Sequence, residues 1–137
     1  MAQRKIEECK IGQYYEEQFI ITEEIGKSFA DISKDYNPVH LEKEFAEQTR
    51  FKDKIVHGML LGSYISGIIG NKFPGQGSIY LKQELHFKRP VYYNSKVKIR
   101  VEIKEIHFEQ SRLTLQTTCS VEDKTVIDGE AIIMLED

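Results

Sequence analysis

Asp35 and His40 stand five positions apart in the run Asp35-Tyr36-Asn37-Pro38-Val39-His40, and a carboxylate beside an imidazole is a usable acid and base set. Asn37 precedes a proline and is biased away from the α region, while Pro38 suits the first position of a new helix. The chain therefore turns between the two residues, and both side chains can point to one spot. The same letters also write an ordinary turn and helix N-cap, and a first-turn histidine can be merely solvated. The run His57-Gly58-Met59 offers a second possibility. A helix N-terminus presents unpaired backbone N–H groups and a positive dipole end, and glycine there lets a ligand oxygen come close, which together make an oxyanion hole. Gly58 can equally serve a tight loop-to-helix turn. Ser66 lies further along the same segment, where its hydroxyl can bond the backbone one turn back.

Other chemistry is disfavoured. His40, His57, His86 and His107 show no metal-ligand spacing, so no metal is expected. Cys9 and Cys119 lie far apart with no C-x-x-C partner, which argues against a disulfide framework and a structural zinc site. No G-x-G-x-x-G, P-loop or G-x-S-x-G elbow is present, and Gly75-Gln76-Gly77 reads as a turn. The tyrosine pairs Tyr14-Tyr15 and Tyr92-Tyr93 fall in loop or edge segments and read as packing.

The elements that must hold these residues follow from periodicity. From Ser78, the residues Ile79, Leu81, Gln83, Leu85 and Phe87 alternate with polar neighbours, as in a strand with one buried face. Val97, Ile99, Val101 and Ile103 repeat the pattern, as do Leu113, Leu115, Thr117, Cys119 and Val121. A last strand covers roughly 125–135, with Ile127, Gly129, Ala131, Ile133 and Leu135 facing in. The short links between these strands predict an antiparallel meander. Residues 57 to about 71 are too long and too evenly apolar for a strand and predict a buried helix, ended by Phe73-Pro74-Gly75. Its Gly62, Ser63, Ser66, Gly67 and Gly70 would let a sheet approach closely. Upstream, a strand is expected over 19–25, a short helix over 26–34 carrying Phe29 and Ile32 inward, and another from Pro38 through Leu41 and Phe45. One buried helix wrapped by an antiparallel sheet is an α+β architecture, the hot dog fold.

With 137 residues, 40% hydrophobic and 30% charged, the chain reads as one globular domain over 1–137. A net charge of −3, with Lys and Arg interspersed among Asp and Glu, leaves no basic surplus for nucleic acid. The basic pair Arg4-Lys5 has no apolar stretch behind it, and the greasiest segment, 59–69, is broken by glycine and serine, so neither a signal peptide nor a membrane span is expected. The expected compartment is the cytoplasm.

The stretch Phe29-Ala-Asp-Ile-Ser-Lys-Asp-Tyr-Asn-Pro-Val-His40, then Phe45-Ala46, Phe51, Ile55-Val-His-Gly-Met-Leu60, Ser63, Ser66-Gly67, Pro74-Gly-x-Gly-Ser-Ile-Tyr80 and Phe87-x-x-Pro-Val91, closely resembles the MaoC-like, (R)-specific enoyl-CoA hydratases. The resemblance implies that Asp35 and His40 are a catalytic pair, that the Gly58 amide binds the thioester oxygen, and that Ser66 lines the site. Asn94-Ser95 stands where Gly-Asp is common in that family, and Lys54 where proline is frequent; both positions belong to the scaffold.

The reaction so implied is reversible addition of water to a trans-2-enoyl-CoA of short to medium chain, giving the (R)-3-hydroxyacyl-CoA, with no cofactor beyond the coenzyme A that the substrate carries. Asp35 is expected to hold and deprotonate water, His40 to deliver a proton to the α carbon, and Gly58 to hold the enolate oxygen. A hot dog acyl-CoA thioesterase is the competing enzyme, and a non-catalytic acyl-CoA-binding protein the competing non-enzyme. A homodimer, or a multiple of it, is expected on two grounds. The likely edge strands carry no proline to block pairing, and the resemblance implies sheets joined edge to edge.

Overall fold

The computed structural model describes residues 4–136. Three long strands form the centre of one sheet: β4 (Lys96–His107), β5 (Arg112–Val121) and β6 (Lys124–Leu135), consecutive and antiparallel. Strand β1 (Tyr14–Ile20) adds beside β4, and β2 (Ser78–Gln83) beside β6, giving the order β1-β4-β5-β6-β2. The two-residue β3 (His86–Phe87) also pairs with β6. The inner face is the one the alternation predicts: Val97, Ile99, Val101, Ile103, Leu113, Leu115, Thr117, Cys119, Ala131 and Ile133 are all inaccessible to solvent.

Helix α4 (Gly58–Asn71) lies against that face through Leu60, Leu61, Ile65, Ile68 and Ile69. This is the hot dog arrangement. Truncating a fully buried Leu61 or Ile65 to alanine costs about 2–5 kcal/mol in such a core. Glycine matters to the packing at two of the expected α4 positions. A Cβ on Gly58 would meet the Phe87 ring at 2.5 Å, and one on Gly62 the Leu85 side chain at 3.0 Å. Gly67 and Gly70 face open space instead, while Ile65, Ile68 and Ile69 carry the core contact along the rest of the helix.

The expected strand from Ser78 to Phe87 is interrupted. A bulge between Tyr80 and Lys82 and a kink at Glu84 split it into β2 and β3, which leaves Leu81 and Phe87 exposed rather than buried, while Tyr80 faces outward as the alternation has it. Gly129 of β6 makes room for the kink, because a Cβ there would fall 1.9 Å from the Glu84 carbonyl oxygen. The buried Thr117 hydroxyl donates to the Gly129 carbonyl at 2.9 Å, so the kink carries no unpaired hydroxyl.

The N-terminal elements start earlier than expected. The alternation of half-buried Tyr15, Glu17 and Phe19 already forms β1, and the chain leaves the sheet by Ile21. Helix α1 spans Glu23–Ser33, capped by the Thr22 hydroxyl accepting from the Ile25 N–H, with Glu23 and Glu24 in the first turn. It docks through the buried Gly26 and Ala30, Gly26 being small enough to meet Tyr93, while Ile32 points outward at 82% exposure. Helices α2 (Pro38–Leu41) and α3 (Lys43–Glu47) are separate, broken by extended backbone at Glu42, and Phe45 is exposed. No helix among the described residues is long and apolar enough to cross a membrane.

Candidate active site

Local sequence shapes the turn that carries Asp35 and His40. Lys34 ends α1 in the left-handed region at φ 65°, its N–H reaching back to the Ala30 carbonyl at 2.7 Å. One oxygen of the Asp35 carboxylate accepts from the Asn37 N–H at 3.1 Å, closing an Asx turn. The Asn37 side chain accepts from the Val39 N–H at 3.2 Å and Pro38 opens α2, so His40 arrives one turn on. The motif is therefore both a turn and a pair of reactive groups. The turn is what aims the second at one place.

Helix α2 is held from below by the segment 55–57. The Ile55 N–H donates to Val39 O at 3.2 Å, Ile55 bridges to Tyr92, and the Val56 N–H donates to Val91 O at 2.7 Å. The His40 Nδ1 lies 2.8 Å from Ile55 O. A carbonyl only accepts, so Nδ1 carries a proton and the uncharged ring has its lone pair on Nε2. Burial lowers the His40 pKa below the ordinary histidine value; the Ile55 bond and Asp35 oppose that shift, and His57 adds to it. The uncharged, Nε2-basic form is thus the favoured one near neutrality.

Gly58 is the first residue of α4, and the preceding His57 offers no side-chain cap, which leaves the helix N-terminus open. His40 and Gly58 line one cleft of 290 Å³, walled by Leu61, Phe87 and Val91 and rimmed by Arg50 and Arg89. A larger cleft of 520 Å³, lined by Lys96, Lys98, Glu122 and Asp123, contains none of these groups. Polar atoms of Asp35, His40 and His57 all lie within 4.8 Å of one another. The three pieces read from the sequence as Asp35, His40 and Gly58 are therefore neighbours in space.

Ser66 is not brought to them. It is exposed on α4, about 12 Å along the axis from Gly58 at 1.5 Å per residue, and does not line the His40 cleft. The helical serine that bonds the backbone is Ser63, which donates to Leu60 O at 2.6 Å.

Two residues here escaped the sequence reading. His57 is buried and its ring stacks on that of His40, with centroids 3.9 Å apart and 25° between planes. It makes a group of potential metal ligands that spacing along the chain had not disclosed. Stacked imidazoles hold their lone pairs in nearly parallel planes, however, whereas a chelated ion needs both nitrogens to converge in-plane at about 2.0–2.1 Å. Tyr93 donates its hydroxyl to the His40 backbone carbonyl at 2.9 Å, and Tyr92 donates to Phe51 O at 2.7 Å. The tyrosine pair thus anchors the α2–α3 region. Lys54 pairs with Glu23 and ties the segment before α4 to α1.

Known proteins share this architecture. An (R)-specific enoyl-CoA hydratase of Rhodospirillum rubrum is 40% identical over 129 residues, covering 94% of this chain and 90% of that protein. A 3-hydroxybutyryl-CoA dehydratase of Methylorubrum extorquens is 41% identical over 118 residues, covering 83% and 75%. A solved structure of an (R)-hydratase from A. caviae involved in PHA biosynthesis superposes with a TM-score of 0.91 at 37% identity, covering 93% of this chain and 98% of that one. Residues 8–128 match the MaoC like domain, and the chain belongs to that family.

Proposed function

We infer that this protein is an (R)-specific enoyl-CoA hydratase, a hydro-lyase that adds water reversibly to a trans-2-enoyl-CoA. The observation that carries this reading is the meeting of the Asp35 carboxylate with His40 beside the uncapped start of α4 at Gly58. Conjugation to the thioester makes the β carbon electrophilic, and attack there sends negative charge to the carbonyl oxygen. Three needs arise: a base for water, a proton for the α carbon and a donor for the oxyanion.

The protonation of His40 refines how they are met. Its Nδ1–H is committed to Ile55 and its Nε2 is free to accept, so we assign deprotonation of water to His40 rather than to Asp35. The water oxygen bonds to the β carbon, its proton passes to Nε2, and the same nitrogen then returns a proton to the α carbon. Asp35 holds the water through its second oxygen and faces the imidazolium that forms. The Gly58 N–H takes the enolate oxygen, a contribution of about 10²–10³ in rate for such a donor. No cofactor enters this scheme. Ser66, exposed on α4, keeps only the substrate-lining role that the resemblance implies.

The chain acts in this reading as one hydratase domain over 1–137, in the cytoplasm, as a homodimer. The dimer is supported by the outer edge of β2, which has no strand partner among the described residues, holds no proline and exposes Tyr80 and Leu81. The test of function is loss of the enoyl-thioester absorbance with crotonyl-CoA and two longer homologues, alongside a thiol reagent. Hydration without free thiol is expected. Release of free coenzyme A would make the protein a thioesterase, and binding without turnover an acyl-CoA-binding protein.

A further inference from the structure

His57 is 2% exposed and polar, and its contacts reach every part of the site. One face of its ring stacks on His40 at 3.9 Å, and the edge of Phe29 closes on it at 5.0 Å between centroids. Its Nε2 lies 3.1 Å from the backbone oxygen of Asp35, a pure acceptor, so that nitrogen donates. Its own backbone precedes Gly58 and sets where α4 begins. Asp35 has otherwise only local hydrogen bonds, to Ser33 and Asn37. Among the described residues, the long-range one comes from His57, 22 positions away.

The other nitrogen is the informative one. His57 Nδ1 is buried with no hydrogen-bond partner among the described residues. A buried polar atom left unpaired is a cost that an apolar ring of the same shape avoids. Packing alone therefore gives no reason for an imidazole at this position. Donation to the Asp35 carbonyl gives one.

We propose that His57 is the positioning residue of this reaction, holding Asp35 by its backbone and His40 by its ring face so that the carboxylate and His40 Nε2 address the same water. The proposal rests on the hydratase reading above. Displacement of a reacting group by 1 Å is enough to cost about 10²-fold in rate, so a tether between two separately mounted groups acts on turnover rather than on binding.

The test uses two variants with opposite losses, after the parent chain's own turnover of crotonyl-CoA has been measured. His57→Phe keeps a flat ring for His40 and removes both nitrogens; His57→Gln keeps an amide donor and loses the stack. For His57→Phe the expected result is a melting temperature no lower than the parent's, kcat reduced at least about tenfold and KM within about threefold. His57→Gln should recover part of the lost kcat. Parental kcat in His57→Phe overturns the proposal, and so does a loss of kcat that only tracks loss of folded protein, with no recovery by glutamine. A parent chain without turnover overturns the hydratase reading instead. Long-range ¹H–¹⁵N correlation spectra of the parent judge the geometry apart from either variant's folding. A proton on His57 Nε2 supports the tether, and a proton on Nδ1 with bare Nε2 overturns it.

Discussion

The Tyr93 hydroxyl donates to the backbone carbonyl of His40 at 2.9 Å, across 53 residues of sequence, and Gly26 of α1 leaves the space in which that ring lies. A Cβ at position 26 would stand 2.3 Å from the hydroxyl oxygen, so α1, α2 and the segment before β4 are locked around one tyrosine. Tyr93→Phe leaves a half-buried carbonyl without its donor, a loss of about 1 kcal/mol in stability. It should also lower kcat with little change in KM, because His40 loses its anchor while the cleft keeps its walls. Thermal melts with steady-state kinetics check this, and an unchanged kcat would show that the Tyr93 bond is not needed to hold His40.

The pH profile carries a signed expectation. Burial lowers the His40 pKa, and the uncharged ring is the working base. The acid limb of kcat/KM should therefore fall with a midpoint below the ordinary histidine value of about 6.5. Protonation also works against folding at this residue. The unfolded chain takes up the proton at a higher pH than the folded one, so the His40 contribution to stability is lost as pH falls through that same range. A limb centred well above 6.5 contradicts the assignment.

Gly58→Ala drives a methyl into the Phe87 ring, which is exposed and free to swing. The expected effect is a small change in melting temperature and a large loss of turnover, since the displaced ring and the methyl both crowd the amide that holds the oxyanion. Adding Phe87→Leu should restore some of that turnover by making room. Double-mutant kinetics decide this; additive losses would mean that the two residues do not share a site.

The edge of β2 leads to the expectation of assembly. Light scattering should give about twice the 16.0 kDa chain mass, or a multiple of that dimer, and dilution to monomer should abolish turnover. A fully active monomer would sink the dimer.

The central strands and α4 were legible in the sequence because each buries a regular face: Val97, Ile99, Val101 and Ile103 of β4 meet solvent nowhere. The edges were harder. Leu81 and Phe87 keep the alternation in letters while a bulge and a kink turn them outward, and the kink depends on Gly129 in another strand. Helix α1 starts three residues earlier than read, and of its two expected inward residues Phe29 packs against the core while Ile32, with an equally strong hydrophobic signal, faces water; Gly26 and Ala30, which are buried, carry no such signal. At the site, Asp35, His40 and Gly58 could be read from turn and cap chemistry and from resemblance. His57 and Tyr93 could not, because their roles rest on bonds to backbone carbonyls 22 and 53 residues away. His57 stood in plain view as the polar start of an apolar helix, and that mismatch was the available signal.

The claim that Asp35 and His40 together perform the chemistry is tested most directly by single-turnover hydration of crotonyl-CoA with the parent, Asp35→Asn and His40→Gln proteins, each verified as folded by circular dichroism. The account predicts that each variant loses at least about 10² in rate while still binding the thioester. Near-parental hydration by either variant would contradict it.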